Sequence, residues 1–596
     1  MTSTIDSDGT GNTADRPDAP GSSSSPRREP STDRPRAADI SGGPAAALPG
    51  TGHAASTPAD APLGGAVWAA LAGLIAAAAA LATGELFSGL STSIVSLPVA
   101  IFDVLVDFSP QGITSWSRET FGTNQKTVTV VGIVATTLVL GAVVGVASRR
   151  NRRIGVGAFV AAGLFGGWAA ARSPLGSAFW SWVAALTTIA VGVFVLTRLL
   201  RWLPGSPADV ADHRTADGAE AQYVGPAAFS SPARRRFLGV AGGAALFALF
   251  GSAVGRALRN GQNVESARTQ VAAQLGGSSG GVLDSPSTVL DAVPASETFD
   301  AVEGISALVT PNDDFYRIDT AFSPPQVDPG DWNLTIMGMV DNEVTLTFDD
   351  LLAMDQIEEV ITLSCVSNEV GGGLVGNAVW TGVPLSTLLD MAGVQDGATQ
   401  IVGRSVDDWT GGFPTEVAYD GRPAMVALTM NGEPLPVRHG FPARLVVPGL
   451  YGYVSATKWL KEIELTTWEG YDGYWIPRGW AKEGPIKTQS RIDVPSNGAT
   501  VPAGPTAVAG VAWAGKRSVD RVEVRIDDGD WIEATLSGEL SENSWRQWMI
   551  SWDATPGDHT IQVRATDGLG ETQPPERTPV APDGATGHHT IGVRVA

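Results

Sequence analysis

The 596-residue chain carries 62 acidic against 40 basic residues, a formal charge of −22, and 43% of it is hydrophobic. That is apolar mass enough for several domains, while the acidic balance excludes a nucleic-acid partner, whose phosphates require clustered Lys and Arg. A single cysteine, Cys365, excludes an intrachain disulfide.

Residues 1–61 are rich in Ser, Pro, Gly, Asp and Arg. Such a segment buries too little to offset the entropy of ordering, and a disordered tail is expected. Residues 62–258 change character, with apolar runs at 64–83, 127–148, 154–171, 178–200 and 237–257. Each approaches the roughly 20 residues that cross hydrocarbon, so five transmembrane helices are expected. The run 94–108 carries Asp103 and Asp107, which are costly at bilayer depth, and reads as an interfacial or re-entrant piece.

Basic residues flanking spans stay cytoplasmic. Arg149, Arg150, Arg152 and Arg153 follow the second run, while Arg198, Arg201 and Arg234 to Arg236 lie between the fourth and fifth. Five spans with an inside N-terminus put both clusters inside, and everything after about residue 258 on the extracytoplasmic face of a multi-pass cell-membrane protein. The triplet Arg234-Arg235-Arg236 before Phe237-Leu238 reads either as a twin-arginine export signal or as ordinary positive-inside anchoring.

A Gly/Ser/Asp-rich linker is expected over 259–300, then mixed helix and strand signals over 301–487. Over 488–596 short alternating strands appear, at 508–513, 522–526, 548–552, 559–565 and 589–595, with turns at Asp527-Asp528-Gly529 and Pro556-Gly557. They read as an immunoglobulin-like β-sandwich.

Two stretches hold side chains suited to chemistry. In Ile361-Thr-Leu-Ser-Cys365-Val-Ser-Asn368-Glu-Val-Gly371 a β-branched strand delivers a thiol to a polar, Gly-rich loop. Alone, the cysteine reads as a small buried hydrophobe. In the stretch 437–459, His439, Arg444, Ser455, Thr457 and Lys458 surround a short apolar strand and offer donors for a phosphate and a polar heterocycle; a solvated loop is the other reading.

Taken in order, Pro311-Asn312-Asp-Asp-Phe315-Tyr316-Arg317-Ile-Asp319, Cys365 with Asn368, Met430-Asn431-Gly432-Glu-Pro434, His439-Gly-x-Pro-x-Arg444, Val-Pro-Gly-x-x-Gly452 and Lys458-Trp459-Leu460 resemble the sulfite oxidase family of molybdopterin oxidoreductases. The likeness runs over about 301–596, since the terminal sandwich resembles the family's dimerisation domain. It implies an α+β sulfite-oxidase-type domain between the helical bundle and the sandwich, a molybdopterin cofactor, and Cys365 as the thiolate on molybdenum.

By the same resemblance, Phe315, Tyr316, Arg317 and Asp319 form the first pterin loop, with Asp407 a further contact. His439 and Arg444 meet the pterin, and Ser455, Thr457 and Lys458 its phosphate. The spacing from Gly452 to Lys458 is one residue longer than in sulfite oxidase, which leaves the register within 455–458 open. Departures bear on the substrate: Asp319 replaces a histidine, Val370 an arginine that holds the oxyanion, and Trp409 an active-site tyrosine. An anion site needs convergent donors, so oxygen-atom transfer with a small sulfoxide-like oxo substrate is expected rather than with sulfite. Cys365, Arg317 and Trp409 are the expected catalytic group.

Of six histidines none lies in an expected span, and no Cys-x-x-Cys-His occurs. Electrons are therefore expected to be exchanged with a separate cytochrome or quinone-linked partner. The stretch 468–480, rich in Trp and Tyr, reads as packing between the two outer domains, or as lining a route. By analogy, the sandwich implies a homodimer. The competing function is a non-catalytic, membrane-tethered binding or sensor protein that retains the fold.

Overall fold

The computed structural model describes residues 63–110, 125–203, 231–261, 264–277 and 294–596 apart from Phe322, together with a few positions between 113 and 121. The tail expected over 1–61 lies outside the described residues.

The first part is helical: α1 (Leu63–Leu90), α2 (Leu97–Phe108), α3 (Gln125–Ala147), α4 (Arg152–Ala171), α5 (Ala178–Arg201) and α6 (Ser231–Gly261). Five helices, Gly65–Leu90, Gln125–Ala147, Arg152–Ala171, Ala178–Arg201 and Arg235–Arg259, are long and apolar enough to cross a membrane. At 12 residues, α2 is too short.

Lipid tails are as apolar as leucine, so close backbone approach rather than hydrophobic burial holds such helices together. A Cβ on Gly73 of α1 would lie 2.0 Å from the Gly141 carbonyl oxygen of α3, and one on Gly145 would lie 2.1 Å from that of Ala69. Gly89 and Gly255 bring α1 against α6 in the same way. The bundle has two distinguishable ends. At one, Gly65 abuts Arg149, Trp68 meets Phe237 edge to face at 5.2 Å, and the Arg236 guanidinium lies 4.6 Å from the Trp202 ring. At the other, Glu85 pairs with Arg259 at 2.9 Å.

The stretch read as a linker contains a helix, α7 (Glu265–Gly277). Val271 and Leu275 are buried in the core of the following domain, and Arg268 pairs with Glu433 at 2.9 Å while donating to the carbonyls of Pro434 and Leu435. Its polar composition hid two apolar anchors one turn apart.

The next domain is α+β. Its strands are β1 (Asn333–Gly338), β2 (Val344–Thr347), β3 (Ile357–Ser364), β4 (Val375–Pro384), β5 (Gln400–Ser405), β6 (Thr410–Pro414), β7 (Met425–Met430), β8 (Glu433–Pro434), β9 (Arg444–Val446) and β10 (Leu460–Thr466). One mixed sheet has the order β2-β1-β10-β5-β6, with β1 parallel to β10; the other runs β3-β4-β7-β8 antiparallel, with β9 on β7. β4 and β7 are buried almost throughout, which explains why their sequences are apolar without alternation. Short helices α8 (Phe348–Leu352) and α9 (Leu385–Ala392) connect the strands, α8 beginning at a Thr347–Asp350 capping box.

The last domain is a two-sheet sandwich. β11 (Gln489–Val494), β13 (Gly504–Trp513), β16 (Thr535–Leu536) and β17 (Arg546–Ala554) form one sheet, and β12 (Thr500–Val501), β14 (Val519–Ile526), β15 (Trp531–Glu533), β18 (Gly557–Asp567) and β19 (His589–Val595) the other. Each of the five strands expected from alternation lies within an observed one. β11, β12, β15 and β16 lacked a clear alternating signal. The sandwich has its own core around Val508, Val522, Trp548 and Val563, but Val511, Trp513 and Trp545 belong to the core of the α+β domain. Trp545 bridges the two, its indole N–H donating to the Leu308 carbonyl at 2.7 Å.

Candidate active site

β3 ends at Ser364, and the chain turns at once into the loop that carries Cys365. The Cys365 amide donates to the Leu374 carbonyl at 2.9 Å, and the Asn368 side-chain oxygen accepts from the Leu374 amide at 2.8 Å. Both ends of the loop are thereby pinned. The thiol is free and buried, and burial pushes its pKa up despite hydrogen bonding from Ser367.

Loop 311–319 is held by asparagines rather than by a sheet. The Asn431 side chain, at the left-handed turn between β7 and β8, donates to Thr310 O and Asn312 Oδ1 at 2.9 Å each and accepts from the Val379 amide at 2.9 Å. Phe315 stacks on Tyr316 with centroids 5.3 Å apart and meets Trp380 and His439 edge to face. Gly376 on β4 makes room for it, since a Cβ there would lie 2.8 Å from the Phe315 ring.

The third segment supplies the cations. Gly440, at φ 117°, lets the turn after His439 come so close that a Cβ would sit 3.1 Å from Arg444 Cβ and 3.2 Å from Lys458 Cα. Arg444 is 4% exposed and donates to the carbonyls of His439 at 3.0 Å and Ala456 at 3.5 Å. Among the described residues no carboxylate pairs with it, and burial pulls its pKa down to about 10. Lys458 lies 2.7 Å from Asp319, and burial takes its pKa down to about 8 against the opposing pull of Asp319. His439 is 1% exposed; burial, then Arg444, Lys458 and Arg438, takes it down to about 3, so the imidazole is neutral at pH 7.

Asp319 is the counter-charge of this group. Burial alone would raise its pKa, but Lys458 at 2.7 Å, Arg317 at 2.8 Å and Lys126 at 3.3 Å hold it well below the carboxylate range. Lys126 opens α3, and it also donates to the carbonyls of Asp319 and Ala321. Nothing in the sequence near either residue announced this contact, which joins positions 193 apart.

These elements enclose one cavity of about 900 Å³, counted to its open mouth. Phe315, Tyr316, Asp319, Cys365, Asp407, Trp409, His439, Arg444 and Lys458 line it. Asp407 accepts from the Trp409 amide at 3.2 Å, which fixes the turn carrying both. Arg317 stands behind the wall and reaches it through Asp319.

Ser455 and Thr457 are not brought to the cavity. Ser455, at the end of α10 (Gly452–Ser455), donates to the carbonyls of Leu450 and Tyr451, while Thr457 packs against the position of Gly403 on β5. The residues of this segment that line the cavity are Gly452, Tyr453, Ala456, Lys458 and Trp459. Trp475 and Trp480 line it as well, so part of the aromatic stretch expected to fill a domain interface forms wall instead. Thr320, Ser367 and Ser405 are further lining residues that sequence reasoning had not singled out, their polar turns being the only signal.

The donor set fits a molybdopterin. A buried guanidinium with no carboxylate partner among the described residues, beside a buried ammonium whose one carboxylate is shared with Arg317 and Lys126, calls for an anionic group such as a phosphate; aromatic faces suit a heterocycle, and a thiol faces the same space. Residues 321–475 match the model of the oxidoreductase molybdopterin binding domain, and residues 489–563 that of the bacterial Ig domain. An uncharacterised oxidoreductase of Bacillus subtilis is 33% identical over 183 residues, 30% of this chain and 89% of its own length. The mitochondrial sulfite oxidase of Rattus norvegicus is 29% identical over 321 residues, 46% of this chain. The chain spans 58% of the length of that relative. The solved sulfane dehydrogenase SoxCD of Paracoccus pantotrophus aligns with 49% of this chain and 82% of its own, at 25% identity and a TM-score of 0.43. By its thorough coverage of the Bacillus subtilis relative and its match to the molybdopterin-binding domain, the chain belongs to the sulfite oxidase family of molybdopterin-dependent oxidoreductases.

Proposed function

We propose that the protein is a membrane-anchored enzyme that transfers an oxygen atom to or from a small neutral oxo compound, sulfoxide-like rather than sulfite, at a molybdenum ligated by Cys365. The observation that carries this reading is that the only thiol of the chain faces the same cavity as Arg444 and Lys458. A bound molybdopterin supplies the two-electron redox change that accompanies oxygen transfer. The chain's part is to hold and orient it: Arg444 and Lys458 offer charge to the phosphate, and neutral His439 presents a ring nitrogen without adding a repelled proton.

The substrate preference rests on the walls. Trp409, Trp475 and Trp480 line the cavity, whereas Val370 is buried and does not reach it. The cations that do are Arg444 and Lys458, already assigned to the cofactor. A neutral molecule with an apolar body suits such walls better than a dianion.

Five apolar helices support the membrane assignment. Arg149 and Arg236 lie at one end of the bundle and the α+β domain contacts the other, which agrees with a cytoplasmic basic end and an extracytoplasmic catalytic domain. The electron partner on this reading is a separate cytochrome or quinone-linked protein, and the sandwich domain mediates a homodimer.

The test is metal analysis, X-ray absorption and dye-coupled turnover on the full chain in detergent. About one molybdenum per chain is expected. Cys365→Ser should reduce the count of sulfur neighbours by one and abolish turnover without unfolding the protein. Sulfoxides should outpace sulfite, nitrate and chlorate. A metal-free wild type, or an unchanged sulfur count in the variant, defeats the assignment; sulfite as the fastest substrate defeats the specificity.

A further inference from the structure

Two lips of the cavity are tied to the helical bundle by side chains that the family motifs do not include. The first lip is loop 315–321. Lys126, the second residue of α3, reaches the Asp319 carboxylate at 3.3 Å and the carbonyls of Asp319 and Ala321 at 2.5 and 2.8 Å. The second lip is the turn 474–480, which contributes Trp475 and Trp480 to the wall. Asp107 at the end of α2 pairs with Arg478 of that turn at 3.4 Å, and Arg478 is itself fixed over the Tyr474 ring at 3.7 Å with a bond to the Tyr474 carbonyl. Asp103, one turn earlier on α2, feels the charges of Lys126, Asp107 and the cavity residue Asp407.

We infer that the helical region braces the cofactor site from behind its lining: Lys126 is a positioning residue acting through Asp319, and Asp107 steadies the second lip through Arg478. The inference rests on the reading that this cavity holds molybdopterin.

The reason lies in charge balance. Lys458 and Arg317 share Asp319 with Lys126. With Lys126 present the four groups carry a net charge of about +2, leaving Lys458 free to serve a phosphate; without it the net charge falls to about +1, and Lys458 is drawn more tightly to Asp319. Lys126 therefore raises the field at the site without touching the cofactor. Because its backbone belongs to a spanning helix, the field depends on the bundle staying docked.

The experiment compares the full chain in lipid nanodiscs with Lys126→Met and Lys126→Arg. Molybdenum and pterin are measured after prolonged dialysis, and the molybdenum midpoint potential is followed by EPR. Lys126→Met should lose cofactor about three- to tenfold faster and titrate at a lower potential, since a positive charge behind the cavity lining has gone. Lys126→Arg should restore both. A variant that folds normally and matches wild type in retention and potential overturns the inference. Should Lys126→Met fail to accumulate, Asp107→Lys and the swap Asp107→Lys/Arg478→Asp decide: faster cofactor loss in the first, recovered in the second, supports the clamp, and equal loss in both rejects it. A wild type without molybdenum would instead sink the cofactor reading itself.

Discussion

Lys458 shows how one buried charge couples the site to pH. Its folded pKa of about 8 lies below that of an exposed lysine. In the cofactor-free protein, as pH rises from about 8 to the unfolded value of about 10.4, the unfolded chain holds the proton that the folded chain has lost; this group's penalty is relieved and stability rises. On the proposed reading, in which the Lys458 ammonium serves the cofactor phosphate, phosphate binding has the opposite slope. Cofactor release from wild type should therefore accelerate between pH 7 and 9, and Lys458→Arg, which stays charged, should flatten the profile. Stopped-flow or dialysis measurements of pterin release across that range would show it, and a flat wild-type profile would refute it. The residues of the site were legible to different degrees. Cys365, His439, Arg444 and Lys458 sit in local patterns that fix their place on strand ends and turns. Ser455 and Thr457 looked equally polar, but hydroxyls satisfied by nearby carbonyls or packed on a strand cannot be told from ligand-facing ones by composition.

Among the elements, α3 does most to connect the helical bundle and the site, and its seating depends on glycines. Gly141 and Gly145 lie one turn apart and meet Gly73 and Ala69 backbone to backbone. Gly145→Leu should force α1 and α3 apart and cost on the order of 2 kcal/mol, read as a lower unfolding temperature in detergent. Gly132→Leu, on the same helix, meets open space and should change stability by no more than about 0.5 kcal/mol. Equal effects would argue against close packing as the cause. The long apolar helices were visible in the sequence because hydropathy over about 20 residues is a local sum. Helix α7 was not, because its polar composition outweighed Val271 and Leu275, whose burial is supplied by a domain that begins later in the chain.

For the whole molecule, the α+β domain and the sandwich share a core. Trp545, 2% exposed, belongs to the cluster that contains Leu363, Trp380 and Leu445, and the Thr362 amide donates to Asn543 O at 3.0 Å beside it. The two outer domains should therefore unfold in one calorimetric transition. Trp545→Ala should destabilise that transition by about 3–5 kcal/mol; a sandwich that melts separately in wild type would contradict the shared core.

The sequence by itself determined the order of parts, from apolar helices through α+β domain to sandwich, together with the strand end that presents Cys365 and the turns that carry His439, Arg444 and Lys458. Hydropathy, alternation and turn chemistry are properties of neighbours along the chain. Tertiary structure alone decided that Lys126 meets Asp319, that Asp107 meets Arg478, and that Trp475 and Trp480 become wall rather than filling. Those contacts join distant segments through docking geometry, and a lysine at a helix start reads the same in sequence whether it faces water or a buried carboxylate.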